Sequence, residues 1–263
     1  MIKQVKNPAI EVHSLTVGYD QKPVLWNVDF TIPTGKISGI IGPNGSGKTT
    51  LLKSMMDLLP VNSGYVKIFD QKLKHVRTRV AYVPQRETVD WDFPANVMDI
   101  TLMGRYRRNN LFKRLSKQDK TLAIEALKKV GMLDFADRQI SQLSGGQQQR
   151  VFIARALAQG ADLFIMDEPF AGVDAASENA ILDLFAEMKN AGKTVVVVHH
   201  DLQTAKQYFD WMVLLNTRLV ASGPTAEVFT DDLLQETYGG KLNILSRVAH
   251  LMESKEFPMR EKQ

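Results

Sequence analysis

The chain has 263 residues, 44% of them hydrophobic, which is enough to bury the core of one large domain or two small ones. Its net charge of +4 is too small to indicate a concentrated nucleic-acid-binding face. The sequence contains no cysteine, which excludes disulfides, thiolate zinc sites and iron–sulfur clusters. It also lacks a run of roughly 20 apolar residues, so no membrane span is predicted, and the first residues do not resemble a signal peptide.

The first quarter of the chain is predicted to form mainly β-strands. Residues 11–18 form one strand and residues 24–32 the next. In the second strand the apolar residues occur at every other position, which is typical of a strand with one buried face: Val24, Trp26, Val28, Phe30 and Ile32. A short strand over 36–41 leads into a glycine-rich loop. An apolar helix follows and is predicted to continue until Pro60.

The rest of the chain indicates an α/β fold. Residues 95–158 are predicted to be mostly helical, with one helix beginning at Ser116 and ending at Gly131. After residue 160, short apolar strands alternate with helices, a pattern typical of a parallel sheet covered on both faces. We expect a mixed, mostly parallel sheet, an antiparallel N-terminal β layer and a helical subdomain at about 88–158. One domain is expected over 1–240, with a polar tail over 241–263.

A phosphate-binding loop is predicted between the third strand and the helix that follows it. The pattern G-x-x-x-x-G-K-[ST] is matched by Gly42, Pro43, Asn44, Gly45, Ser46, Gly47, Lys48 and Thr49, with Thr50 next. Glycines allow successive backbone N–H groups to face one anion, and the helix adds its positive amino end. Lys48 can neutralise the β- and γ-phosphates, and Thr49 can offer its hydroxyl to Mg²⁺. Nucleotide binding is therefore predicted.

Two carboxylates follow another apolar strand. Asp167 stands at the strand end, where it can join the ligands of Mg²⁺. Glu168 comes next and can polarise an attacking water as a general base. Alone, the pair would fit the polar end of an ordinary strand. The phosphate-binding loop favours the catalytic interpretation.

A third motif, Leu143-Ser144-Gly145-Gly146-Gln147, opens a helix for which Ser144 is a good N-cap. Two glycines in the first helical turn cost about 1 kcal/mol each relative to alanine. A phosphate bound to the bare backbone N–H groups would explain that cost. A flexible capped turn is the alternative if the motif is taken alone.

In this order, the three motifs resemble the ATPase subunit of ABC transporters over about residues 10–235. The resemblance implies that the protein binds ATP and Mg²⁺ and hydrolyses ATP. It also implies roles for four more residues. Tyr19 would stack on adenine, and Gln85 would meet Mg²⁺ and water. Asp174 would lie in a loop that communicates across a dimer, and His200, rather than the preceding His199, would contact the γ-phosphate.

The family resemblance also implies partners and a location. Two copies would form a homodimer in which ATP on the Lys48 loop of one subunit meets Ser144, Gly145, Gly146 and Gln147 of the other. A membrane permease would be the direct partner, a solute-binding protein an indirect one, and no nucleic acid is expected. The location would be peripheral, at the cytoplasmic face of the inner membrane.

Trp91 and Phe93, in the loop after Gln85, are expected to form a groove for a permease helix. The alternative is a satellite hydrophobic cluster over the helical region.

Longer sequence segments resemble those of the bacterial importers of manganese, zinc or iron, without distinguishing among the three metals. These segments are residues 83–86, 89–94, 102–106, 168–174 and 198–202. Importers of haem or a siderophore remain the nearest alternative. A soluble ABC ATPase of DNA repair or translation usually has two cassettes or a long central coiled coil, for which the interval from Gln85 to Leu143 is too short. The presence of Glu168 and His200 argues against a non-catalytic nucleotide-binding module.

The basic segment 105–114 fits a solvated surface, or a contact with lipid head groups or an acidic partner.

Overall fold

The computed structural model describes residues 2–19, 22–106 and 115–239. The strands are β1 (Pro8–Tyr19), β2 (Lys22–Pro33), β3 (Ile37–Ile41), β4 (Ser63–Ile68), β5 (Val80–Val83), β6 (Leu163–Asp167), β7 (Thr194–His199), β8 (Trp211–Asn216) and β9 (Arg218–Pro224). The helices are α1 (Lys48–Met55), α2 (Leu73–Val76), α3 (Val97–Met103), α4 (Lys117–Lys129), α5 (Gly145–Gln159), α6 (Ala175–Asn190), α7 (Leu202–Tyr208), α8 (Thr225–Val228) and α9 (Asp231–Tyr238). Most of the basic segment and the expected tail lie outside the described residues. The division into residues 1–240 and 241–263 stays a prediction.

The strands form two sheets, as expected. The larger sheet has six strands in the order β5-β6-β7-β3-β8-β9, all parallel except β9, which pairs antiparallel with β8. The smaller sheet is antiparallel, with the order β2-β1-β4. The prediction of an α/β fold with a mostly parallel sheet and an antiparallel N-terminal layer is confirmed.

The parallel strands are buried on both faces, which accounts for their continuous apolar sequences. In β7, Val195 and Val197 pack into a core shared with α5 and α6. Val196 and Val198 pack into a second core, shared with β1, β2 and α1. All four valines are fully buried. The sheet therefore separates two cores and is held rigidly between them.

The alternation expected for β2 holds only in its second half. Val28 is buried as expected, but Leu25 is buried too and Trp26 is 48% exposed. Asn27 has a φ of 48° and lies where the pairing with β1 shifts register. Such a bulge inserts one residue and reverses the faces of the strand on either side of it. The expectation that Trp26 shares the buried face is wrong for this reason.

Helix α1 is shorter than expected. It ends at Met55 rather than continuing to Pro60, because Asp57 adopts a left-handed conformation with a φ of 53°. Leu58, beyond this end, is 52% exposed. The backbone at Asp57, and not the proline, therefore ends the helix.

The helical region between β5 and β6 is confirmed as α3, α4 and α5. Ser116 caps α4 through a capping box: its side chain accepts from the Asp119 N–H, and the Asp119 side chain accepts from the Ser116 N–H. Helices α3 and α4 both pack against α5, which carries the Ser144 motif at its amino end. Among the described residues, no helix is both long enough and apolar enough to cross a membrane.

Candidate nucleotide site

The expected site residues follow the carboxyl ends of four strands in the larger sheet. The loop of residues 42–47 follows β3, Gln85 follows β5, Glu168 follows β6 and His200 follows β7. These four strands are parallel, so their carboxyl ends meet at one edge of the sheet. A cavity of about 460 Å³ lies there, lined by Val24, Asn44, Gly45, Ser46, Gly47, Lys48, Thr49, Thr50, Gln85, Glu168 and His200.

The glycines of the loop are required by its geometry. Gly47 has a φ of 96°, and a Cβ atom placed on it would lie 2.6 Å from Cδ2 of Leu25. A Cβ on Gly42 would lie 2.0 Å from the carbonyl oxygen of Leu215. Gly47 is also the N-cap of α1 and offers no side chain to the first-turn N–H groups of that helix. The loop and the helix start therefore leave backbone donors for an anion.

The Lys48 ammonium is held beside the loop. Its side chain is buried, and Nζ donates hydrogen bonds to the carbonyl oxygens of Gly42 at 2.8 Å and Pro43 at 3.0 Å. Burial lowers the pKa of Lys48, whereas Glu168 and Asp167 oppose that shift. Its charge is thus fixed next to the proposed phosphate position.

Asp167 is a fully buried carboxylate. Within the described part of the chain, neither of its oxygens makes a hydrogen bond of standard geometry. Burial raises the pKa of Asp167, and the nearby Thr49 hydroxyl, Lys53 and Lys48 oppose the shift. A buried carboxylate whose oxygens lack well-formed hydrogen bonds is costly, and a bound cation would relieve that cost. The donor set at this position therefore fits Mg²⁺.

Glu168 stands at a strained backbone position. It has a φ of 50°, which is uncommon for a residue with a side chain, and its N–H donates to the carbonyl of Val198 at 3.2 Å. Gln85 Nε2 donates a hydrogen bond to Glu168 Oε2 at 3.3 Å. Strain of this kind is commonly kept where a side chain must be aimed. The two residues expected to handle water are thus in contact.

The two adjacent histidines have different environments. His199 is 4% exposed, and its Nε2 lies 2.9 Å from Oγ1 of Thr204. The Thr204 hydroxyl donates to Asp201, so His199 Nε2 is the donor to Thr204. Burial lowers the pKa of His199 to about 4, with His200 adding to the effect. His200 is exposed and lines the cavity. This geometry favours His200, not His199, as the ligand-facing histidine.

The residues expected to act in trans are not among those lining the cavity. Ser144 accepts a hydrogen bond from the Gln147 N–H at 3.3 Å, and Gln147 Oε1 accepts from the Ser144 N–H at 2.9 Å. Gly145 and Gly146 form the first turn of α5 between them. Asp174 caps α6 by accepting from the Ser177 N–H at 3.0 Å and from the Ser177 hydroxyl at 2.9 Å, and these two bonds lower the pKa of Asp174. Tyr19 ends β1, but its side chain lies outside the described structure.

The loop after Gln85 differs from the expectation in part. Phe93 is 51% exposed, as expected. Trp91 is half-buried instead: its Nε1 donates to the Arg86 carbonyl at 2.8 Å, and its ring meets the Phe152 ring edge-on at 4.9 Å. For Trp91 the alternative, a hydrophobic cluster over the helical region, is the better description.

Sequence reasoning also missed features of this region. The Arg86 side chain lies against the amino end of α5 and pairs with Gln148. A larger cavity of about 870 Å³ is lined by residues that include Met56, Tyr82, Met103, Tyr106 and Arg155. No local pattern marks either feature, because each is assembled from segments distant in sequence.

Comparison with known proteins now identifies the family. The profile of the family described as "ABC transporter" matches residues 25–171, more than half of the chain. The chain belongs to the ABC transporter family. It is 59% identical over 236 residues to the manganese transport system ATP-binding protein MntB of Bacillus subtilis (strain 168), covering 90% of this chain and 94% of that protein. It is 56% identical over 235 residues to the zinc transport system ATP-binding protein TroB of Treponema pallidum (strain Nichols), covering 89% and 88%.

A solved structure agrees with the family. The chain superposes on cbiO1 from Clostridium perfringens, part of the ABC transporter complex cbiONQ, with a TM-score of 0.73, 27% identity and coverage of 94% and 100%. As an ATP-binding subunit of an ABC transporter, the protein binds and hydrolyses ATP. Membership of the family also implies a membrane permease as its partner.

Proposed function

We propose that this ABC subunit hydrolyses ATP to power the import of a divalent metal ion, manganese, zinc or iron, through its permease. The observation that carries the proposal is the identity of 59% and 56%, nearly along the whole chain, with proteins named for manganese and zinc transport. The subunit would act at the cytoplasmic face of the membrane, where ATP is available, and a solute-binding protein would deliver the ion to the permease. An importer of haem or a siderophore is the competing function.

The site residues have proposed roles in hydrolysis. Asp167, Thr49 and Gln85 would hold Mg²⁺, which when bound offsets phosphate charge. The N–H groups of the loop 42–47 and the Lys48 ammonium bind the phosphates. Glu168 accepts the proton of the attacking water, while Gln85 orients Glu168 and the water. His200 contacts the γ-phosphate, and Tyr19 stacks on the adenine.

Each ATP site is proposed to be shared between two copies of the chain. Ser144, Gly145 and Gly146 present helix N–H groups, yet they do not line the 460 Å³ cavity of their own chain. In a head-to-tail dimer they would face the γ-phosphate bound by the partner's loop. Gln147 would support them through its bond to the Ser144 N–H. Asp174 would hold the loop before α6 at the dimer contact.

The permease is proposed to insert a cytoplasmic helix into the larger cavity, of about 870 Å³. Met103 and Tyr106 on its lining are 39% and 51% exposed, and Lys74 and Arg77 add positive charge. This lining suits a helix with one apolar face and an acidic side chain. Replacing Tyr106 with Ala should weaken co-purification of the permease. Tyr65→Ala, at another exposed tyrosine (41%) on the antiparallel sheet, serves as the control and should leave co-purification unchanged.

The cellular metal content tests the transport function. Cells carrying the native chain are compared with cells carrying Glu168→Gln in metal-limited medium, and total manganese, zinc and iron are measured by mass spectrometry. A selective fall in one metal is expected and would identify the cargo. Glu187→Gln, at an exposed carboxylate on α6, is the matched control and should leave all three metals unchanged. Unaltered metals in the Glu168→Gln cells, with hydrolysis shown to be lost, would refute metal import and direct attention to haem and siderophores.

A further inference from the structure

Arg86 lies between the proposed water-handling residues, Gln85 and Glu168, and helix α5, which carries the Ser144 motif at its amino end. It directly follows Gln85, whose side chain donates to Glu168 at 3.3 Å. Its own Nε donates to Gln148 Oε1, on the first turns of α5, at 3.1 Å. Gln148 is 3% exposed and its Nε2 donates to the Ile140 carbonyl at 3.1 Å, so the acceptor is held in one orientation. Two neighbouring residues thus contact opposite parts of the site.

A second set of contacts fixes the same segment to α5. The guanidinium of Arg86 covers Gly145: a Cβ on that glycine would lie 2.9 Å from Arg86 Cζ. The Arg86 carbonyl accepts from Trp91 Nε1 at 2.8 Å, and the Trp91 ring packs on Phe152 of α5. The side chain and the backbone of Arg86 are therefore both tied to this helix.

Stability alone does not explain the position of this cation. A positive charge at the amino end of a helix is repelled by the helix dipole. The arrangement suits an anion site, because the guanidinium and the helix end then attract the same phosphate. Glycine at position 145 allows the guanidinium to approach the helix backbone this closely.

We infer that Arg86 is a positioning residue that couples Gln85 and Glu168 to the amino end of α5, so that the two halves of a shared ATP site are aligned together. The inference rests on the proposed function, since it concerns the dimeric site. When α5 meets the phosphate bound by the partner, Arg86 holds Gln85 in register with it.

The test compares the full-length chain with Arg86→Ala and Arg86→Lys. The lysine variant keeps the charge but removes the Nε–H donor. Both variants should bind a fluorescent ATP analogue at the Lys48 loop of the monomer with unchanged affinity, because Arg86 does not line that cavity. They should hydrolyse ATP with a kcat lower by about ten- to a hundredfold, with little change in KM. Arg218→Ala is the matched control, because Arg218 lies over the Trp26 ring as Arg86 lies over the Trp91 ring, and this variant should hydrolyse ATP normally.

A double-mutant cycle and a dimerisation assay separate alignment from a merely structural effect. Gln148→Ala should reproduce the loss, and the Arg86→Ala, Gln148→Ala double variant should be no slower than either single variant. In a Glu168→Gln background, Arg86→Ala should weaken the ATP-dependent dimer on gel filtration, whereas Arg218→Ala should not.

Three results would overturn the inference: normal hydrolysis by both Arg86 variants, an equal loss in Arg218→Ala, or additive effects of Arg86→Ala and Gln148→Ala. Failure of the proposed function is seen separately. In that case the unaltered chain itself would show no ATP-dependent dimer or no phosphate release.

Discussion

Gln85 and Glu168 are 83 positions apart in sequence and share a hydrogen bond of 3.3 Å between Nε2 and Oε2. The bond joins the ends of the neighbouring parallel strands β5 and β6. It places an amide beside the carboxylate that is proposed to accept a proton from water. Gln85, which supplies this amide, directly precedes Arg86, and the Arg86 side chain contacts α5. The proposed chemistry and the proposed dimer contact therefore meet in this pair.

Replacing Glu168 with Gln should stop hydrolysis while leaving ATP binding intact. The amide keeps nearly the same volume and can still bond to Gln85, but it cannot accept the proton of the attacking water. ATP should then remain bound and hold the proposed dimer together. Gel filtration with ATP should show a dimer for Glu168→Gln, and Glu187→Gln should behave as the native chain. A monomer under all nucleotide conditions would contradict the shared site.

Replacing Lys48 with Ala should abolish ATP binding. The variant loses the ammonium that Gly42 and Pro43 hold beside the loop. The phosphates would then lose their charge-assisted contact with this ammonium. Binding of a fluorescent ATP analogue measures the loss. Lys129→Ala removes an exposed lysine that pairs with Glu187 and should bind as the native chain does. Unchanged affinity in Lys48→Ala would refute the assignment of the loop.

Replacing Gly47 with Ala should distort the loop and weaken ATP binding. Alanine would be strained at the φ of 96° that Gly47 adopts, and its methyl group would lie only 2.6 Å from Leu25 Cδ2. Gly160→Ala is the control, because its φ is 72° but nothing lies within 4 Å of the added Cβ. The control should cost about 1 kcal/mol of stability through backbone strain and leave binding intact. Equal ATP affinity for the two variants would show that the close packing of the loop is unimportant.

Acid should destabilise the protein through His199. Its pKa is lowered to about 4 in the folded chain, from 6.5, chiefly by burial, with His200 adding to the effect and Asp201 opposing it. Below pH 6.5 the unfolded chain binds a proton that the folded chain resists, so the free energy of unfolding falls with pH. The loss reaches up to about 3 kcal/mol near pH 4.

Urea unfolding of the native chain and of His199→Gln, followed from pH 7.5 to pH 4.5, measures this contribution. The variant should lose less stability on acidification, because the glutamine does not titrate. His75→Gln, at an exposed histidine, should follow the native curve. Identical pH dependence of the native chain and His199→Gln would contradict a buried neutral His199.

The sequence predicted those parts of the site whose chemistry depends on local spacing. The loop 42–49 combines glycines, a lysine and a hydroxyl at fixed intervals between a strand and a helix, and the structure brings it to the edge where Glu168 and His200 also lie. It did not predict the faces of β2, because the left-handed residue Asn27 shifts the register. Nor did it predict the early end of α1, which depends on Asp57, or the half-burial of Trp91.

The sequence by itself determined the fold class, the phosphate-binding loop and the family, because strand and helix periodicity, glycine conformation and motif order are local properties. The family resemblance already named His200 over His199, and the tertiary structure supplies the physical reason: His199 ends β7 with its side chain buried, whereas His200, just beyond the strand, lines the cavity. Only the tertiary structure brought Arg86 onto Gly145 and Gln148. Contacts between segments distant along the chain arise from the packing of α5 against the loop after β5, and no local pattern encodes that packing.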